Sequence, residues 1–310
     1  MIELKNITKR YGKLTAVDDL SLDIGPGEVF GFIGPNGAGK STTMKILACL
    51  LRPDEGIARV AGFNVLKDGN EIRRILGYMP DFLGVYDDLT VDEYLQFFAS
   101  AFSIRRKKRR SVVDSVLELT DLTYKKNTMV SGLSRGMQQR LGVARVLIHE
   151  PKVLLLDEPA SGLDPRARIE MRELLTELAR MGKVLMVSSH ILSELAEMCS
   201  SIGIIERGKL LFAGSLSDAL DRVQVGETVK LTLEKPEVAD RVAERLRKDE
   251  RVASVEVSGA SLEVELKKAR EAHHFLIEEV IEAGGRIESF VPREIKLEDA
   301  FLKLTQGIVQ

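Results

Sequence analysis

From Met1 to about residue 220 the chain alternates between two hydrophobic rhythms. Short runs such as EVFGFIG, KVLLLD and KVLMVSSH are rich in leucine and β-branched residues and end on glycine or polar side chains. Buried parallel strands read this way, with function at their carboxyl ends. Between them, KSTTMKILACLL spaces its apolar residues three and four apart, which predicts a helix. Leu89 to Ile148 is helical in pattern almost throughout. The expected fold class is α/β.

Past Asp221 the rhythm changes. ETVKLTLE alternates as a strand, and Pro236 opens a helix with Val238, Val242 and Leu246 on one face. ASVEVSGASLEVEL predicts a hairpin around a Ser-Gly turn, with Ala253, Val255 and Val257 set against Leu262, Val264 and Leu266. A helix carrying Phe275, Leu276 and Val280 and a strand RIESFV complete the order β-α-β-β-α-β, the ferredoxin-like arrangement. LEDAFLKLT adds a closing amphipathic helix. Two domains are therefore expected: residues 1–220, helical over about 89–150, and a smaller α+β domain over residues 225–310.

Composition narrows the class. With 310 residues, 44% of them hydrophobic, the chain can fill two cores. Its net charge of −2 argues against a nucleic-acid partner. The longest apolar run, Ile46 to Leu51, falls far short of the ~20 residues of a membrane helix. MIELKNITKRYG has no apolar core behind its charges, so no secretory signal is expected. Cys49 and Cys199 have neither metal-ligand nor redox spacing. A cytoplasmic chain is the expectation. The charge run RRKKRR, Arg105 to Arg110, fits an anionic lipid or nucleic acid, or simply the solvated start of a helix; the overall charge favours the latter.

GPNGAGKST, Gly34 to Thr42, fits G-x-x-x-x-G-K-[ST] between a strand and a helix. Its backbone (Gly34, Pro35, Asn36, Gly37, Ala38, Gly39) can face phosphates, Lys40 adds a positive charge, and Ser41, followed by Thr42, can ligate Mg²⁺. VLLLDE ends in two adjacent carboxylates: Asp157 suits the Mg²⁺ side, and Glu158 would face an attacking water. His190 follows VLMVSS, where a side chain can reach a γ-phosphate; a lone histidine there is also an ordinary structural residue. Tyr11, placed in a turn, can stack on adenine or pack on the surface. In VSGLSRGMQQRLGVAR, Ser134 caps a helix start and Gly136 leaves its backbone open, a second anion seat.

Read in order, these motifs resemble the nucleotide-binding subunit of an ATP-binding cassette (ABC) transporter, over residues 1 to about 215. The resemblance implies a P-loop NTPase cassette with a RecA-like core, an antiparallel β subdomain and a helical subdomain. It assigns Tyr11 to adenine, Gly34–Thr42 to the Walker A loop, VLLLDE to Walker B, Ser161–Asp164 to the D-loop, and His190 to the switch. LSRGMQQR matches the signature, normally Leu-Ser-Gly-Gly-Gln, with Arg135 and Met137 in place of Gly and Gln. Asp81, in GYMPDF, stands where the family has glutamine and is a candidate metal ligand.

In such proteins two cassettes dock head to tail, so Ser134 and Gly136 would close on the ATP of a second copy or a related cassette. ATP and Mg²⁺ are the implied ligands. A separate integral membrane permease is the implied partner, which would hold the chain at the inner face of the membrane. The C-terminal domain resembles that of ABC-2-type exporter ATPases, which implies export. A soluble ATPase acting on a partner such as the ribosome is the alternative, but those proteins fuse two cassettes and this chain carries one set of motifs. A chromosome-type ATPase would need a long coiled coil, and only about ninety residues separate Ser41 from Ser134, without sustained heptads.

Overall fold

The computed structural model describes residues 1–82, 84, 86, 88–191, 195, 198–215, 218, 219, 228–267 and 273–293. The chain divides into two compact units, Met1–Ser215 and Leu216–Gln310.

The first unit opens with a hairpin, β1 (Ile2–Tyr11) and β2 (Leu14–Ile24). β3 (Val29–Ile33) is buried at all five positions, and α1 (Lys40–Leu47) follows it. β4 (Glu55–Val60), β5 (Phe63–Asn64), α2 (Gly69–Ile75) and β6 (Leu76–Met79) come next. Three helices then run in succession: α3 (Val91–Ala101), α4 (Arg106–Leu119) and α5 (Arg135–Leu147). β7 (Val153–Asp157), α6 (Pro165–Arg180), β8 (Val184–Ser189), β9 (Ser201–Glu206) and β10 (Lys209–Gly214) complete the unit.

Two sheets result. β2-β1-β4-β5 is antiparallel, and β10-β9-β3-β8-β7-β6 is parallel except for its β10 edge. In-register residues of parallel strands share a face. Phe32, Leu155, Met186 and Tyr78 therefore point to one side, into the core that the antiparallel sheet and α1 close. Asp157 and Ser188 continue that face beyond the core, at the carboxyl ends of the strands.

Local chemistry explains the boundaries. Thr90 and Glu93 form a reciprocal capping box at α3, and Asp164 caps α6 ahead of Pro165. The helix predicted over KSTTMKILACLL stops earlier, at Leu47. Cys49 adopts φ +59°, and the N–H groups of Cys49 and Leu50 bond to the carbonyls of Ile46 and Lys45, a Schellman ending. Arg105 to Arg110 lie mostly exposed at the start of α4, a solvated helix end.

The second unit runs β11 (Thr228–Leu233), α7 (Ala239–Leu246), β12 (Val252–Ser258), β13 (Ser261–Leu266), α8 (His274–Glu282) and β14 (Ile287–Arg293). Its sheet order, β12-β13-β11-β14, is antiparallel throughout and ferredoxin-like. Val242, Leu246, Phe275, Leu276 and Val280 bury one helical face each against Val229, Leu231, Leu262 and Val264. Arg245 of α7 joins Glu279 and Glu282 of α8. The predicted hairpin register holds at Val255–Val264 and Val257–Leu262 but not at Ala253: a bulge sets Val252 opposite Leu266 and leaves Ala253 exposed. The helix predicted over LEDAFLKLT lies outside the described residues.

Candidate functional site

The loop Gly34–Gly39 joins the carboxyl end of β3 to the start of α1. Two of its glycines are demanded by space and backbone. A Cβ at Gly34 would strike the Ile205 carbonyl of β9, and Gly39 adopts φ +111° with a Cβ position 2.5 Å from the Ala16 carbonyl. Pro35, Asn36 and Gly37 are exposed while Ala38 is buried, so the loop presents one rim outward. α1 has no side-chain cap and no acidic residue in its first turn, which leaves its N–H groups and dipole available to an anion. Ser41 and Thr42 stand half-buried in that turn.

Lys40 is buried and turns back over the loop. Its Nζ donates to the Gly34 carbonyl at 2.6 Å and the Pro35 carbonyl at 3.3 Å, and lies 3.3 Å from Glu158 Oε1. Glu158 itself takes a left-handed backbone, φ +52°, just after β7. Its Oε2 accepts a hydrogen bond from His190 Nδ1 at 2.8 Å, while Oε1 is buried with no hydrogen-bond partner. Lys40, Glu158 and His190 thus form one continuous chain of contacts across the ends of β3, β7 and β8.

Asp157 is fully buried, and its Oδ1 accepts from Ser188 Oγ at 2.6 Å. The same Ser188 oxygen accepts the Glu158 amide at 2.9 Å. Ser188 therefore sets both carboxylates, a role the sequence reading missed; the only signal was a serine pair ending an otherwise apolar strand. Asp81 follows β6. Partial burial of its carboxyl, then Asp157 and Glu158, raise it above the ordinary carboxylate range, while Arg135 and His190 pull the other way.

Ser134 caps α5, accepting the Met137 amide at 3.4 Å, and a Cβ at Gly136 would meet Ala167 at 3.0 Å. The Ser134 hydroxyl thus contacts Met137, and the backbone at Gly136 faces Ala167, within the same chain. Arg135 rests on Gly162 of the same chain. Arg140, buried on the same helix, pairs with Asp121 at 3.1 Å and with Glu170 of α6 at 3.4 Å; it ties α5 to α6 and was not singled out from sequence. Tyr11, expected in a turn, is instead the last residue of β1, paired with Leu14 across Gly12–Lys13. Its ring is half-exposed, with Lys9 Nζ 5.8 Å from the centroid.

The donor set suits a hard cation shared with phosphate. Ser41, Asp157 and Asp81 offer oxygen only, and among the described residues no three His, Cys, Asp or Glu side chains converge into an all-protein cage. That is the chemistry of Mg²⁺, which keeps waters and substrate phosphates among its ligands. The tight glycine cradle, and a Glu158 Oε1 that accepts no hydrogen bond and faces the Lys40 charge, fit a phosphate and its attacking water.

Residues 17–161 match the family model described as ABC transporter. The uncharacterized ABC transporter ATP-binding protein YhcH of Bacillus subtilis (strain 168) is 36% identical over 98% of this chain and 96% of its own. The Nod factor export ATP-binding protein I of Paraburkholderia xenovorans (strain LB400) is also 36% identical, over 98% and 96%. Among solved structures, a dimeric post-hydrolysis ATP-binding cassette bound to ADP and Pi superimposes with a TM-score of 0.64 at 27% identity, covering 70% of this chain and 99% of that one.

Proposed function

This chain belongs to the ABC transporter family as an ATP-binding subunit with ATPase activity, and from that premise we propose that its ATP hydrolysis drives export through a separate membrane permease. The export ATP-binding proteins among its full-length relatives support this direction.

The division of labour follows from the site. Lys40, now held by loop carbonyls and Glu158, is the cation placed to exchange those partners for β- and γ-phosphate oxygens, alongside the N–H groups of Gly34–Thr42. Glu158 Oε2 is pinned by His190, so Oε1, ion-paired with Lys40 at 3.3 Å until that cation turns to phosphate, orients the water that attacks the γ-phosphorus and takes up its proton as the bond to the bridging oxygen breaks. His190 both steadies Glu158 and reaches the γ-phosphate. Ser41, Asp157 and Asp81 would hold Mg²⁺, which neutralises phosphate charge when bound. Tyr11 offers a half-exposed ring for adenine.

Ser134 and Gly136 serve the ATP of a second cassette in a head-to-tail pair. A pair whose two contacts are identical closes as a twofold dimer. The permease partner is supported by exposed aromatic surface: Tyr86 and Phe97 pack edge to face at 5.6 Å, each about half exposed. No described helix is long and apolar enough to cross a membrane, so attachment to the inner face would run through that partner.

The observation that carries this reading is the Lys40–Glu158–His190 chain, in which Glu158 Oε1 accepts no hydrogen bond and is held only by the Lys40 charge. Glu158→Gln tests it. Turnover should fall by about a hundredfold or more with ATP binding kept; wild-type turnover would remove Glu158 from the role.

A further inference from the structure

Tyr78 of β6 takes no part in the arrangement above, yet its position is specific. It stands opposite Leu155 of β7 in a parallel ladder, so its side chain leaves the sheet on the face shared by Leu155 and, two residues on, Asp157. The ring packs against the core on that face. The hydroxyl at its far end is buried and has no hydrogen-bond partner. Buried hydroxyls are seldom left so, and phenylalanine would fill this position without the loss.

The surroundings say what the hydroxyl is for. Burial, then Asp157 and Asp81, raise the phenol above its ordinary range, so it stays protonated and can donate. Both named carboxylates are candidate metal ligands. Asp157 Oδ1 is already engaged by Ser188.

We propose that Tyr78 is a positioning residue for the metal side of the nucleotide site, its hydroxyl donating to the oxygen shell that Asp157 and Asp81 hold around bound Mg²⁺. The inference rests on the reading that Mg-ATP binds between Gly34–Thr42 and Asp157. In the empty chain the donor is unused; on loading it gains an acceptor. Tyr78 thus links metal binding to the strand that leads into Asp81.

Tyr78→Phe removes one oxygen and keeps the ring. Thermal unfolding of the full chain is followed empty, with a non-hydrolysable ATP analogue in EDTA, and with the analogue across a Mg²⁺ titration. Empty, the variant should unfold at or above the wild-type temperature, and in EDTA the analogue should shift both proteins alike. The Mg²⁺ concentration giving half of the further shift should rise about three- to tenfold, as for one lost hydrogen bond. A variant with wild-type Mg²⁺ dependence, whether or not it unfolds earlier when empty, overturns the proposal, since the hydroxyl is then structural. So does an equal loss of the shift in EDTA, which would make the effect one of nucleotide rather than metal. A wild type with no Mg²⁺-dependent shift overturns the underlying site reading instead, and shows it before the variant is compared.

Discussion

The guanidinium of Arg135 lies against the α-carbon of Gly162, so close that a β-carbon at position 162 would overlap its Cζ and both terminal nitrogens. One residue opens α5, the other lies in the Ser161–Asp164 turn before α6. The residue that departs from the family pattern is thus seated on a glycine of its own chain, whose φ of +66° disfavours any side chain.

Gly162→Ala should therefore carry two costs. The left-handed backbone contributes about 1–2 kcal/mol, and displacing the exposed, flexible guanidinium of Arg135 adds a smaller cost of about 0.5 kcal/mol. In denaturant unfolding, Arg135→Ala in the same chain should recover the second cost and leave the first. Strict additivity of the two substitutions would mean that the contact carries no energy.

Ser188 serves two masters with one oxygen, donating to Asp157 Oδ1 and accepting from the Glu158 amide. Ser188→Ala leaves two buried polar atoms without a partner, which costs about 1–3 kcal/mol each before relaxation. The expected result is a lower unfolding midpoint and a turnover number reduced about tenfold or more, with a much smaller change in ATP affinity. A loss of affinity as large as the loss of turnover would count against a role in setting Glu158.

The contrast between Gly39 and Ser188 shows what sequence could and could not supply. Gly39 is legible because its need is local: a backbone at φ +111° beside the Ala16 carbonyl admits no side chain, and the motif states this in nine residues. Asp157 and Glu158 are legible as the polar end of an apolar strand. Ser188 and Tyr78 acquire meaning only from the register that sets Asp157 beside Ser188 and Leu155 beside Tyr78, pairings between segments far apart in the chain. The same dependence explains the smaller misses. Ala253 lost its predicted partner to a bulge, and α1 ended early because Cys49 left the helical region.

His149 provides a pH test inside the first unit. Its Nε2 donates to the Leu76 carbonyl at 3.0 Å, its ring stacks on Phe102 at 4.0 Å, and its Nδ1 is buried without a hydrogen-bond partner. Burial, with a smaller push from Lys183 and against the pull of the Leu76 bond, lowers its pKa below the ordinary 6.5. The folded chain therefore holds fewer protons than the unfolded one just below pH 6.5, and stability must fall as pH drops from there towards the lowered value. Above pH 6.5 this contribution is constant. His149→Asn should be less stable at pH 7.5 but should lose less on going to pH 5.5; identical pH slopes for the two chains would exclude His149 as the source.

The shared-site reading makes the strongest demand on the molecule, because one chain supplies the loop and another the signature. Glu158→Gln should hold ATP without consuming it and so trap the closed pair. Light scattering should then report one chain without nucleotide and two with Mg-ATP, with the dimer fraction rising with ATP in the manner of ligand linkage. Arg135 and Asp81 sharpen the test, since both depart from the expected motif and the test shows whether closure tolerates them. Ser134→Ala combined with Glu158→Gln should leave ATP binding to the monomer intact, because Ser134 touches Met137 and not its own loop, yet weaken closure. A dimer that forms without ATP would assign the contact elsewhere in the chain. ATP bound with no dimer would mean that a different cassette, or the membrane partner, is needed to complete the site.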